Sequence, residues 1–148
     1  VQKDKQLRIN FEKVVLEKVD LEINPNYTLK EAGIPVDISV KVTRNLIKSQ
    51  KLLKLSLNVF VFKEAEDPPL RVSLIATGYF SVKKDGDFKT LEEFSQIQAP
   101  ALVFPFVRET IANLTMRTDY PPLLLPPANI TVLIGKTSSK KRVKKKNM

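Results

Sequence analysis

Apolar and polar residues alternate through most of the first 82 positions, and the alternation breaks at identifiable points. In QLRINFEKVVLEKVDLEIN (6–24), Leu7, Ile9 and Phe11 alternate with polar residues, the phase slips at VVL, and it resumes with Val19, Leu21 and Ile23. A slip of this kind predicts one long strand with a bulge, or two short strands. NPNYTLKEAG (24–33) is rich in turn residues and reads as a loop. Ile34, Val36, Ile38, Val40 and Val42 then share one face, with Asp37, Ser39, Lys41 and Thr43 on the other, which predicts a half-buried strand.

Two further alternating runs follow. LLKLSLNVFVF (52–62) puts Leu53, Leu55, Leu57, Val59 and Val61 on one face; PLRVSLIATGYFSV (69–82) does the same with Leu70, Val72, Leu74, Ala76, Gly78, Phe80 and Val82. KEAEDP between them is a hairpin loop. With its centre near Glu66 and Asp67, Val59 faces Leu74 and Phe60 faces Ser73, and both apolar faces fall on the same side. The second face is not wholly polar, since it carries Phe60, Phe62, Ile75 and Tyr79. Two readings stay open for these four: burial under another element or a subunit interface, or an exposed apolar binding patch.

The period then changes. After the turn KKDGDFK (83–89), Thr90 with Glu93 three residues on forms a capping box for a short helix over about 91–98. Pro100 and Pro105 punctuate the approach to a second helix, in which Val107, Ile111 and Leu114 recur at spacings of four and three. The segment FPFVRETIANLTMRTDYPPLLLPPANI (104–130) then holds five of the ten prolines, two Pro-Pro pairs bracketing three leucines. Strands first and helices afterwards predict an α+β domain: a four-stranded antiparallel sheet with helices packed on one face.

Composition narrows the chemistry. The chain has 148 residues, about one domain, and 43% of them are hydrophobic, enough for a sizeable core. It contains no cysteine and no histidine, which removes disulfides, thiolate chemistry, the commonest general base and the commonest transition-metal ligand. GKT at 135–137 resembles the end of a phosphate-binding loop, but the glycine required five residues earlier is Ile130, and four glycines in all allow no dinucleotide fingerprint. Adjacent Glu92 and Glu93 suit the first turn of a capped helix. Arg108 and Glu109 read as a structural or surface pair. No catalytic group, metal or cofactor is implied, and a non-enzymatic protein is expected.

The net charge of +9 is unevenly placed. From Lys136 onward there are seven basic residues and no acid, which leaves 18 basic against 16 acidic residues in the body. Residues 6–134 read as the domain and 135–148 as a basic tail without apolar periodicity, expected to be disordered. The tail lacks interleaved aromatics, so no base-stacking pattern is evident and nucleic acid is not the expected partner. No secretory leader and no membrane-length apolar run stand out, which points to a cytoplasmic protein without membrane insertion.

The proline-rich segment carries a resemblance. Phe104-Pro105-Phe106 followed by Arg108-Glu109, Tyr120-Pro121 followed by Leu123 and Leu125, and Pro127-Ala128-Asn129 resemble, in this order, the long helix and following segments of the SecB family of protein-export chaperones. The upstream order is similar too: a long first strand, a crossover loop, three more strands, and Gly78-Tyr79-Phe80. The resemblance spans about residues 6–133. It implies an ATP-independent holdase that keeps polypeptides unfolded, assembled as a tetramer (a dimer of dimers) or a dimer. It also implies a client groove at Tyr27, Leu29, Val36, Ile38, Val40, Leu123 and Leu125, with Phe60, Phe62, Ile75 and Tyr79 as a second candidate surface. For Val36, Ile38 and Val40, ordinary packing is at least an equal alternative.

Two departures from the family pattern stand out. Lys18, Arg71 and Ser73 lie at or beside positions where the family's acidic patch for the SecA motor is expected, so coupling to SecA is doubtful. The lysine tail follows where a last helix is expected, which leaves the groove more open or completed by a partner. The reading from a different class is a non-enzymatic scaffold whose basic tail binds nucleic acid or an acidic partner.

Overall fold

The computed structural model describes residues 8–28, 35–83 and 86–126. Four strands, β1 (Ile9–Ile23), β2 (Ile38–Ile47), β3 (Leu52–Val61) and β4 (Leu70–Val82), precede two helices, α1 (Phe88–Phe94) and α2 (Gln98–Met116). The strands form one antiparallel sheet in the order β1-β4-β3-β2. The chain therefore crosses from one edge of the sheet to the other between β1 and β2. The expected hairpin pairing is present, with Val59 opposite Leu74 and Phe60 opposite Ser73.

β1 is one strand of 15 residues, and its register against β4 shifts twice, between Phe11 and Lys13 and between Leu16 and Lys18. Glu12 and Glu17 are the extra residues. Each bulge returns the following apolar pair to the side it would otherwise have left. Opposite the inward β4 residues stand Ile9, Phe11, Val14, Leu16, Val19, Leu21 and Ile23, so every one of them points to the helix side. The apparent irregularity at VVL is thus a correction of phase.

The inner face is a continuous apolar layer. Leu53, Leu55, Leu57, Val59 and Val61 of β3 and Val72, Leu74, Ala76 and Phe80 of β4 are buried beneath Leu91, Val103, Val107 and Ile111 of the helices. Gly78 permits the close approach of α2: a Cβ built there would lie 2.5 Å from Val103 Cγ2 and 3.0 Å from the Phe80 ring. On β2 the same face carries Arg44, which donates from Nε to the Ser95 carbonyl (2.8 Å) and from Nη2 to the Gln96 carbonyl (3.2 Å). Those carbonyls end α1, so the guanidinium fastens the helix junction to the edge of the sheet.

Both helices begin earlier than the sequence predicts. The cap of α1 is Asp87, whose carboxylate accepts from the Lys89 N–H, and Thr90 lies inside the first turns. Asp87 captures the free N–H groups first because it stands directly before the helical residues. α2 begins at Gln98 and contains both prolines. Pro100 sits in the first turn, where the missing N–H costs nothing, and Pro105 lies on the exposed side and removes only the bond to the Ala101 carbonyl. The strand predicted from Ile34 begins at Ile38.

Two tests follow from this packing. Gly78→Ala is expected to destabilise the fold by about 1–3 kcal/mol through overpacking; in denaturant titrations, Val103→Ala should recover part of that loss in the double variant. Arg44→Met keeps the aliphatic stem and removes both carbonyl contacts, and it should cost about 1–3 kcal/mol by the same measurement.

Candidate functional site

The end of α2 and the loop after β1 are joined by a small polar network. Asn24 donates from its side chain to Asp67 (2.8 Å) and to the Pro68 carbonyl (3.2 Å), and its backbone N–H reaches the Pro69 carbonyl (2.9 Å). Its own carbonyl accepts from the Tyr120 hydroxyl at 3.0 Å and from the Tyr27 N–H at 3.3 Å. The Tyr27 and Tyr120 rings meet edge to face at 6.3 Å. Three segments far apart in sequence, the crossover loop, the β3–β4 loop and the chain after α2, therefore share one residue.

The segment after α2 is held by α2 itself. Buried Thr115 donates to the Ile111 carbonyl and accepts from the Leu123 N–H at 2.7 Å. Arg108 donates to the Leu125 carbonyl at 3.0 Å, which gives the Arg108 side chain a structural role. Alternation then decides the leucines: Leu123 is half-buried against the core, Leu125 is buried, and Leu124 between them is 73% exposed.

This geometry sorts the expected groove residues. Tyr27 is half-buried beside Tyr120, and Val36 is exposed just before β2. Ile38 and Leu123 are partly buried against the core. Val40 (1% exposed) and Leu125 (3%) are core side chains, so neither offers a surface in this chain as it stands. Leu29 lies outside the described residues, as do residues 127–148 with the expected tail. Leu124 is an exposed apolar side chain that the sequence reading passed over; its position midway between two inward leucines was the available signal.

The outer face of the sheet corrects another expectation. Phe60, Ile75 and Tyr79 do lie on it, half-buried. Phe62 does not. β3 ends at Val61, Phe62 takes a left-handed backbone (φ 59°), and its ring turns into the core at 5% exposure. No helix covers the outer face among the described residues. Lysine side chains cover its aromatics instead: Lys13 and Lys54 lie 4.8 and 5.5 Å from the Tyr79 ring centre, and Lys63 lies 4.5 Å from that of Phe60. The Asn58 side-chain oxygen on this face is buried without a hydrogen-bond partner.

Another exposed apolar tract lies on the inner side of β1. α2 rests chiefly over β4 and β3, so the inner face of β1 is only partly roofed. Phe11, Leu16, Val19 and Ile23 are exposed there, and Leu102, Phe106 and Met116 are exposed on α2. Phe11 stacks on Phe80 (4.6 Å) and meets Phe106 edge-on (5.9 Å). Beside them a pocket of about 390 Å³ opens between Ile9, Phe11, Phe80, Phe94, Ala101 and Leu102, with Gln98 as its polar side chain. The sequence reading recognised the β1 alternation but not that its apolar side would stay open. Among the described residues, no three Asp or Glu side chains are grouped to hold a metal ion, and no helix is long and apolar enough to cross a membrane.

Comparison with known proteins bears on these surfaces. Residues 2–141 match the family model for preprotein translocase subunit SecB. A protein-export protein SecB of Anaplasma marginale is 30% identical over 113 residues, covering 76% of this chain. The chain spans 62% of that relative's length. The SecB of Chromobacterium violaceum is 23% identical over 135 residues, 89% of each chain. The fold is similar to that of a Mycobacterium tuberculosis SecB-like chaperone solved in complex with a peptide from an antitoxin, with a TM-score of 0.66 and 16% identity, covering 81% of this chain and 90% of the other. With its four-stranded sheet, its two helices and a family match over nearly its whole length, the chain belongs to the SecB family.

Proposed function

We propose that this protein is an ATP-independent holdase chaperone of the cytoplasm, which binds non-native polypeptides through apolar surface, in protein export or for dedicated clients. It is non-enzymatic in this reading. The observation that carries it is the apolar surface left open in the folded chain: exposed Val36 and Leu124 with half-buried Tyr27, apart from the Phe11–Leu16–Val19–Ile23 stripe. Unfolded clients present mixed apolar segments, and aliphatic and aromatic side chains bind these without reading a sequence. Family membership supports the same reading. The antitoxin peptide bound by the Mycobacterium tuberculosis chaperone supports dedicated clients as one form of it.

The two sets of exposed side chains suit different roles. The β1 stripe runs along a strand of 15 residues at the edge of the sheet, a position that invites pairing. It is assigned here to self-association into a dimer or a tetramer built as a dimer of dimers. Client contact is assigned to Tyr27, Leu29, Val36, Ile38 and Leu123, with Leu124 added; Val40 and Leu125 contribute as support beneath them. Several such surfaces on one oligomer gain avidity. Coupling to SecA is weak or absent in this reading. Lys18 is exposed on the outer face, and Arg71 is committed to the Phe62 and Ala65 carbonyls at 3.3 and 2.7 Å, so the charges at these positions oppose a basic partner.

The test is suppression of aggregation of an unfolded protein without ATP. Wild type should protect. Val36→Ser with Leu124→Ser should weaken client binding on the order of tenfold while leaving the unfolding midpoint nearly unchanged. Val40→Ala should do the reverse, costing on the order of 2 kcal/mol of stability. No protection by wild type, together with partner binding that vanishes on removal of residues 136–148, would favour the scaffold reading. Light scattering should report a dimer or tetramer at micromolar concentration, and Leu16→Glu with Val19→Glu should give a folded monomer; a monomeric wild type would sink the assignment of the stripe.

A further inference from the structure

We infer, resting on the holdase reading above, that the Tyr120 hydroxyl is a latch that positions the two halves of the client surface against each other. Client contact is assigned to two segments far apart in sequence. One is the loop after β1, with Tyr27 and Val36; the other is the chain after α2, with Leu123 and Leu124. Tyr120 joins them. Its hydroxyl donates to the Asn24 carbonyl at 3.0 Å, and its ring meets that of Tyr27 edge to face at 6.3 Å. Asn24 passes the connection on, because its side chain donates to Asp67 and to the Pro68 carbonyl and so anchors the latch to the β3–β4 loop. Tyr120 is therefore a positioning residue, acting on the client through the segments it fastens.

The fold itself has little need of this hydroxyl. The Asn24 carbonyl also accepts from the Tyr27 N–H at 3.3 Å, so it keeps a donor without the phenol. The backbone of Tyr120 is fixed from within its own segment. Its N–H donates to Thr118 Oγ1 at 3.1 Å, and that hydroxyl donates in turn to the Thr115 carbonyl at 2.6 Å. Leu123 and Leu125 are held by Thr115 and Arg108 of α2. The Tyr120 ring is half-buried against the core, where a phenylalanine ring would pack as well. What the oxygen adds is one bond between segments 96 residues apart, which sets the place of one relative to the other. A surface assembled in advance binds more tightly than one the client must assemble, because apparent affinity falls with the fraction of chains that are competent. One neutral hydrogen bond shifts such a fraction by roughly two- to tenfold. A client long enough to lie on both segments feels that shift in full.

The chain has no cysteine, which permits a specific test. Binding of a labelled, permanently unfolded polypeptide (a small protein, reduced and carboxymethylated) to the full chain is followed by fluorescence anisotropy. Tyr120→Phe is expected to weaken it on the order of fivefold, with the urea midpoint little moved and the oligomer unchanged by light scattering. Asn26→Cys and Asp119→Cys then place thiols at exposed positions beside the two rings. Joined by a short reducible linker, these thiols should leave binding by the otherwise wild-type chain unchanged and restore it in the Tyr120→Phe chain, and reduction of the linker should remove the gain. Equal affinity of wild type and Tyr120→Phe would overturn the latch and leave the holdase reading intact. So would a loss of binding that only follows a lowered urea midpoint. A Tyr120→Phe chain that the linker does not rescue, although it spares the wild type, would also overturn it, since the hydroxyl would then act on the client directly. A wild type that binds no unfolded polypeptide would sink the holdase reading, and the latch with it.

Discussion

A helix about 10–12 Å wide cannot roof four strands spaced about 4.8 Å apart, and the rest of this molecule follows from that mismatch. α2 settles over β4 and β3, drawn close by the absence of a side chain at Gly78 against Val103. The inner face of β1 is then left partly open, although every apolar residue of the strand except Val15 has been turned toward it. A protein whose only task was to be stable would shorten that strand or make it polar. Here two bulges preserve the apolar phase over 15 residues, so an open stripe is built into the fold.

The proline-rich segment solves a related problem by other means. Pro121, Pro122 and Pro126 have no N–H to give, so the stretch after α2 cannot join a helix or a strand. It is fixed instead by side chains of the helix it leaves: Thr115 takes the Leu123 N–H, and Arg108 takes the Leu125 carbonyl. The extended backbone then alternates, which sinks Leu123 and Leu125 and lifts Leu124 into solvent. Tyr120 ties the same segment to Asn24, and through it to both loops at that end of the sheet. A rigid frame of prolines and side-chain hydrogen bonds thus presents apolar surface that would otherwise collapse into the core.

The two faces of the sheet differ in chemistry. The inner face is apolar beyond its helical cover, which suits association driven by burial. The outer face is polar and mixed in charge, with Lys13, Lys18, Lys41 and Lys54 alongside Asp20 and Glu22, and its aromatics lie under ammonium groups.

Strand identity, the β3–β4 register, the antiparallel sheet and the family were all legible in the sequence, because each rests on periodicity or on the order of prolines and aromatics along the chain. The period of two fixes which side chains share a face, and a loop centre fixes which residues oppose. What the chain alone could not decide was coverage. Val36, Ile38 and Val40 read alike in the pattern, yet Val36 is exposed, Ile38 partly buried and Val40 buried, because Val36 precedes the paired strand, Ile38 is its first residue and Val40 lies within it under the core. Phe62 left its expected face because one residue after β3 adopts a left-handed backbone. The start of α1 moved because Asp87 reached the free N–H groups before Thr90 could. Periodicity is a local property, and it determined the strands and their faces. Burial depends on the distance to residues far along the chain, and only the tertiary structure decided which apolar faces were closed and which stayed open.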